Sequence, residues 1–144
     1  MENIPSRLTG KPSWLITRLS THAHRLSTDA FAQAGARGYH FRILAALDEF
    51  GQASQADIGR RTDMDRSDVV AALNELADHG FIERSPDPDD RRRNLVSITR
   101  AGIRQLSRLD RELDAAQDTL LEPLSKQERR DLTALLTRLL EHHR

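Results

Sequence analysis

Three arginines stand together at Arg91, Arg92 and Arg93, directly behind the acids Asp87, Asp89 and Asp90. Upstream, Arg66, Ser67, Asp68, Ala71 and Asn74 are spaced to share the outward side of one helix. Such groups suit the edges of a nucleic-acid duplex. A guanidinium takes guanine or phosphate, an amide can take adenine, and a carboxylate can accept from the cytosine amino group. A short Ala leaves room for a thymine methyl. Asp68 also suits a plain role as a helix-start charge, and Asn74 a solvent-facing one.

The remaining candidates for chemistry do not form sites. Of six histidines, His22 and His24 are two apart on a helix and diverge, and His142 and His143 are neighbours near the end of the chain. No metal-spaced cluster, phosphate loop or nucleophile arrangement is present. No metal, cofactor or enzymatic reaction is expected. The chain has no cysteine, which removes disulfides, thiolate nucleophiles and thiol-based sensing.

Composition bounds the rest. At 144 residues, 38% hydrophobic and 31% charged, the chain suits one domain with a modest core of Leu, Ile, Val and Ala. Net charge is zero, which argues against a general nucleic-acid coat but not against locally placed arginines. No stretch is long and apolar enough to span a membrane, and MENIPSRLTGKPS lacks the apolar core of a signal peptide. A cytoplasmic location is expected, with no membrane partner.

These residues need elements to hold them. The first ten residues read as a loose arm around Pro5 and Gly10. A helix is expected from about Ser13, as its cap, to Ala34, with Leu15, Leu19, His22, Leu26 and Ala30 on one face. A second runs from about Tyr39 to Phe50, burying Phe41, Leu44, Leu47 and Phe50. Ser54 and Asp57 form a reciprocal capping box for a short helix that turns Ala56 and Ile58 inward and ends near Arg61. Met64 plugs the turn. Asp65 caps the next helix, whose Val69, Val70, Leu73 and Leu76 face the core and which Gly80 ends.

Strands are expected at Phe81–Arg84 and Leu95–Thr99, joined by a solvent-exposed charged loop. One of its arginines is expected to be held by Asp89 or Asp90. Thr99 caps a long helix from about Arg100 to Leu121 with a stripe of Ile103, Leu106, Leu109, Leu113, Ala116 and Leu120. After Pro123, Ser125 and Glu128 box the start of a last helix carrying Leu132, Leu135, Leu136, Leu139 and Leu140. The expected fold is mainly α with a small β wing: a winged helix-turn-helix at 38–99, with long helices at 13–34 and 100–144.

In that arrangement the first helix of the pair lays its N-terminal amides near Ser54 and Gln55 on a phosphate, and the second enters the major groove. The loop arginines reach the backbone or the minor groove. The candidate DNA-binding residues are Ser54, Gln55, Arg66, Ser67, Asp68, Ala71, Asn74, Arg84, Asp90, Arg91, Arg92 and Arg93. The leucine stripes of the terminal helices exceed what so small a lobe can cover. They point to a two-fold homodimer that sets two reading heads about 34–36 Å apart on a palindromic duplex. Folding back of these helices onto a monomer is the alternative. A winged-helix protein-interaction or architectural role without sequence preference is the alternative function.

Asp90-Arg91-Arg92, followed by Leu95-Val96-Ser97-Ile98-Thr99, resembles the wing tip and returning strand of the MarR family (multiple antibiotic resistance regulators). Leu73, Leu76, Gly80, Phe81, Ile82 and Arg84 resemble the end of its recognition helix and its outgoing strand. The likeness covers about Ser13 to Arg144. It implies a dimeric transcriptional regulator, most often a repressor, that releases DNA on binding a small aromatic or phenolic compound. By the same likeness Arg92 enters the minor groove and Ser67, Asp68 and Ala71 face bases. Asp68 and Ala71 depart from the family's frequent choices there, Ser or Thr at the first and a longer polar residue at the second. The implied effector site lies between the terminal helices and the DNA-binding lobe, where Trp14, Arg18, His22, Tyr39, His40 and Arg42 are candidates.

Overall fold

A computed structural model of the protein describes residues 1–144. It is mainly helical with one small antiparallel sheet. The helices are α1 (Ser6–Thr9), α2 (Pro12–Gln33), α3 (Gly38–Phe50), α4 (Gln55–Thr62), α5 (Arg66–Asp78), α6 (Arg100–Leu120) and α7 (Lys126–His142). The strands are β1 (Ala53–Ser54), β2 (Ile82–Pro86) and β3 (Asn94–Ile98), in the order β1-β3-β2. No helix is long and apolar enough to cross a membrane.

The core lies where α3, α4, α5 and the sheet meet α6. Ile43, Leu44, Ile58, Leu73 and Leu109 are fully enclosed there, with Phe31 reaching in from the end of α2. Met64 and Leu113 lie against this cluster. In α5 the buried set is Val69, Ala72, Leu73 and Leu76, a three-four stripe. Val70 sits about 100° around the helix from Val69 and is exposed, so its expected burial is not realised. Ala56 likewise turns outward, because Ile58 and Thr62, four apart, take the inward face of α4. Phe50 closes α3 at the surface, with the Arg61 guanidinium over its ring, and Ile103 is also exposed.

Several ends differ from expectation for local reasons. The arm contains one helical turn, α1. Helix α2 starts at Pro12, whose missing N–H costs nothing at a first position, so Ser13 lies inside the helix and does not cap it. Asp65 occupies the N-cap of α5 without a side-chain bond to the helix. The Ser54 hydroxyl accepts the Asp57 N–H, as expected, but the Asp57 carboxylate accepts from that same hydroxyl and not from the Ser54 amide. Ser54 also ends a strand, β1, that sequence alone did not reveal: Ala53 and Ser54 pair with Val96 and Leu95. Ser125 and Glu128 do form the full reciprocal box.

The wing is fastened to the long helix at one point. Gly80, at φ 73°, turns the chain out of α5, a conformation that favours glycine. The Thr99 hydroxyl donates to the Gly80 carbonyl at 2.6 Å and accepts the Gly102 N–H at 3.0 Å. Gly102 is buried against this turn; a Cβ there would meet the Phe81 carbonyl oxygen and an Ile98 side chain. The missing side chain therefore lets α6 seat on the base of the wing. Gly102→Ala should destabilise the fold by about 1–3 kcal/mol, the usual cost of overpacking. Urea unfolding followed by circular dichroism would measure it.

Candidate nucleic-acid interface

The first turn of α4, the start of α5 and the base of the wing enclose a groove of about 680 Å³. Ser54, Gln55, Arg66, Arg84, Arg92 and Arg93 of the expected residues line it. Ser67, Ala71 and Asn74 lie exposed along α5, with Asp68 half-buried in its first turn. Asp90 and Arg91 are at the wing tip. Arg60 and Asn94 also line the groove and were not anticipated. The signal for Arg60 was its position three residues after Asp57, one turn along α4.

The groove carries five arginines, Arg60, Arg66, Arg84, Arg92 and Arg93, and most are held by the lobe's own side chains. Arg60 pairs with Asp57. The Ser54 hydroxyl bond, aided by Arg60, holds the Asp57 carboxyl below its ordinary value despite partial burial. Arg84 donates to the Asn74 side-chain oxygen at 2.7 Å, so β2 is tied to α5 and the Asn74 amide is half-occupied. Arg92 donates to Asp90 from Nε at 3.1 Å, and its backbone N–H reaches the same carboxylate oxygen at 3.1 Å. The Asp90 carboxyl is lowered chiefly by the Arg92 side-chain bond. Arg93 pairs with Asp87 at 2.8 Å. The expected hold by Asp90 is therefore present, and a second, through Asp87, accompanies it. Asp87 itself is buried and Asp90 half-buried, unlike the rest of the exposed loop.

Ser54 is buried and its hydroxyl is occupied within the cap, which leaves the free amides of the next turn, not the side chain, to face an anion. No group of three or more His, Asp or Glu is placed to hold a metal.

A second cleft, of about 270 Å³, opens between the end of α2, α5 and α6. Of the six effector candidates only His40 lines it, with Glu75, Leu76, His79, Phe81, Gln105 and Arg108 among its neighbours. His40 is committed to structure. Its Nδ1 accepts the Arg37 N–H at 3.1 Å, so the proton sits on Nε2, which donates to Glu75 at 2.6 Å. Trp14 and Arg18 stack on each other on α2, His22 is bonded by Arg25, and Tyr39 and Arg42 are exposed on α3. The structure does not bring these five into that cleft.

Residues 36–93 match the model of the MarR family. The chain belongs to the MarR family. A crystal structure of a MarR protein from E. coli, complexed with operator DNA, superposes with a TM-score of 0.75 at 21% identity, over 89% of this chain and 92% of that one. A probable transcriptional regulator from Pseudomonas aeruginosa is more similar in sequence, 32% identical over 92% of this chain and 99% of its own, with a TM-score of 0.79. A Thauera aromatica protein assigned to regulation of the hcr operon is 35% identical over 86 residues. The match spans 60% of this chain and about half, 52%, of that relative. The MarR model thus falls on the lobe that carries the groove and the wing.

The cap at Ser54 makes a pH-dependent prediction. A depressed carboxyl contributes stability that is complete above its unfolded value and is lost as pH falls through the folded one. Ser54→Ala should raise the Asp57 titration midpoint toward its ordinary 3.8 and move the onset of acid unfolding to higher pH. Carboxyl NMR titration would follow the first, and circular dichroism the second.

Proposed function

We propose that this MarR-family chain is a homodimeric repressor that binds a palindromic DNA operator and leaves it when a small aromatic or phenolic effector binds. Its work on this reading is binding, not catalysis. The observation that carries it is the groove itself: α5, the free amides of α4 and an arginine-tipped wing face the same side. In a neutral chain that side gathers the positive charge a duplex needs. The named DNA-binding residues then divide by reach. Arg66, Ser67, Asp68, Ala71 and Asn74 address the major groove. Gln55, the amide end of α4 at Ser54, and Arg84 meet phosphates. Asp90 and Arg91 shape the tip around Arg92, which enters the minor groove.

Dimerisation is supported by what one chain leaves uncovered. Helix α7 buries no residue, and Leu135, Leu136, Leu139 and Leu140 are all about half exposed or more, as are Ile16 and Leu19 of α2. Light scattering at micromolar concentration should give twice the 16.3 kDa of one chain. Leu136→Asp should lower both dimerisation and DNA affinity, because a carboxylate in an apolar interface is costly. Leu113 is a poorer probe, since it lies against the core of its own chain. A mass near one chain for the unaltered protein would refute the dimer.

The wing gives the sharper test. Arg92→Ala should weaken operator binding more than Arg66→Lys, since a lysine keeps part of a major-groove contact. It should also lower the salt dependence by about one phosphate equivalent per wing. Fluorescence anisotropy at a series of salt concentrations reads both. Affinity equal to wild type would remove Arg92 from the interface.

The 270 Å³ cleft is the better seat for an effector than the outer faces that carry Trp14, Arg18, His22, Tyr39 and Arg42, because it touches the recognition helix and α6 together. An occupant there acts only if it favours one arrangement of those helices over the other. Calorimetry with aromatic acids and phenols should show weaker binding to the DNA complex than to free protein, by about 5–150-fold, since the coupling is reciprocal. Equal affinities for both would exclude release by that effector.

A further inference from the structure

The wing's two ion pairs differ in a way that bears on DNA discrimination. Arg92 and Asp90 meet at the tip, where the arginine side chain is 91% exposed. Such a pair is weak, and its guanidinium is free to exchange the carboxylate for a phosphate or a base edge. Arg93 and Asp87 meet at the base. There the Asp87 side chain is only 7% exposed and serves several bonds at once. One oxygen accepts the Asp89 N–H at 2.9 Å and the other accepts Arg93 at 2.8 Å. The backbone repeats the closure: the Asp87 N–H donates to the Arg93 carbonyl at 2.9 Å, and the Arg93 N–H donates to the Asp90 carbonyl at 3.0 Å.

We propose that Asp87 is a positioning residue that keeps the Arg93 charge out of DNA binding, so that of the three loop arginines only Arg91 and Arg92 are free to reach DNA and non-specific affinity stays low. The inference rests on the DNA-binding reading above. Moving Arg93 onto a phosphate would leave a buried carboxylate without its cation and loosen the turn that Asp87 closes; moving Arg92 leaves one whose side chain is still 33% exposed to water. The Asp87 carboxyl is held below its ordinary value, first by the Asp89 N–H and then by Arg93, so the clamp stays charged at neutral pH. Arg93 thus lines the groove without being a free cation in it. Its proximity to Arg92 in sequence hides the difference between them.

The test is the salt dependence of binding to a mixed-sequence duplex with no palindrome, measured by anisotropy on wild type, Arg93→Gln, Asp87→Asn and the double variant. Wild type and Arg93→Gln should have the same slope. Asp87→Asn should bind this duplex more tightly, with a slope steeper by about 0.9 per wing, the increment for one further phosphate. The double variant should return to the wild-type slope. A purely structural role for Asp87 would not produce that return. If Arg93→Gln alone flattens the slope by about that amount, Arg93 already contacts DNA and the proposal is overturned. A flat or shallower slope for a folded Asp87→Asn overturns it equally. Should Asp87→Asn fail to fold, the Arg93→Gln comparison still decides. No salt-dependent binding by wild type would instead refute the DNA-binding reading, and the proposal with it.

Discussion

A chain with no net charge can hold a polyanion only by separating its charges in space. That constraint organises the side proposed to meet DNA. Arginines converge on one groove, and the acids nearest them sit behind or beneath: Asp57 under Arg60, Asp90 beside Arg92, Asp87 beneath Arg93. Each acid also bonds backbone or a helix cap, so it shapes the element that presents its arginine. The carboxylates therefore do two jobs. They lower the net field, which limits indiscriminate attraction, and they stiffen the short elements that carry the cations. Arg66, at the first position of α5, has no such partner among the ion pairs and side-chain bonds.

This arrangement would fail if the wing moved independently of the helices. The sheet prevents it from one side, because β1 joins the start of α4 to β3 while β2 joins the wing to α5 through Arg84 and Asn74. Helix α6 prevents it from the other, seated on the wing base by Gly102 and Thr99. The same helix runs along α2, where Gln105 and Arg108 donate to the Ala34 and Gln33 carbonyls. A change in how α6 lies therefore reaches the wing through packed atoms. The His40–Glu75 bond ties α3 to α5 at the edge of the cleft.

Much of this was legible in the residues. Periodicity located the long helices and the recognition helix, and Thr99 and Ser125 marked two starts by their capping chemistry. The alternation in Val96 and Ile98 gave the returning strand. What was not legible depends on partners distant in sequence. β1 is two residues long, too short for any periodic signal. Val70 and Phe50 are apolar, so pattern alone assigned them inward; only the neighbouring elements decide which side is covered. The wing loop read as uniformly exposed because its composition is charged, whereas burial of Asp87 follows from a turn that closes on it. Trp14, Arg18, His22, Tyr39 and Arg42 carry suitable chemistry, but which helix faces enclose a space is set by packing across the fold. Gly102 offered no cue, since its role is a contact with the Phe81 carbonyl made across the fold.

The most direct measurement is selection of bound fragments from a pool of random duplexes, carried out with the full chain at near-physiological salt. Enrichment of one palindrome, with half-sites centred about one helical turn apart, is the expected result. A pool that stays random through successive rounds while the protein remains folded and dimeric would contradict sequence-specific operator binding.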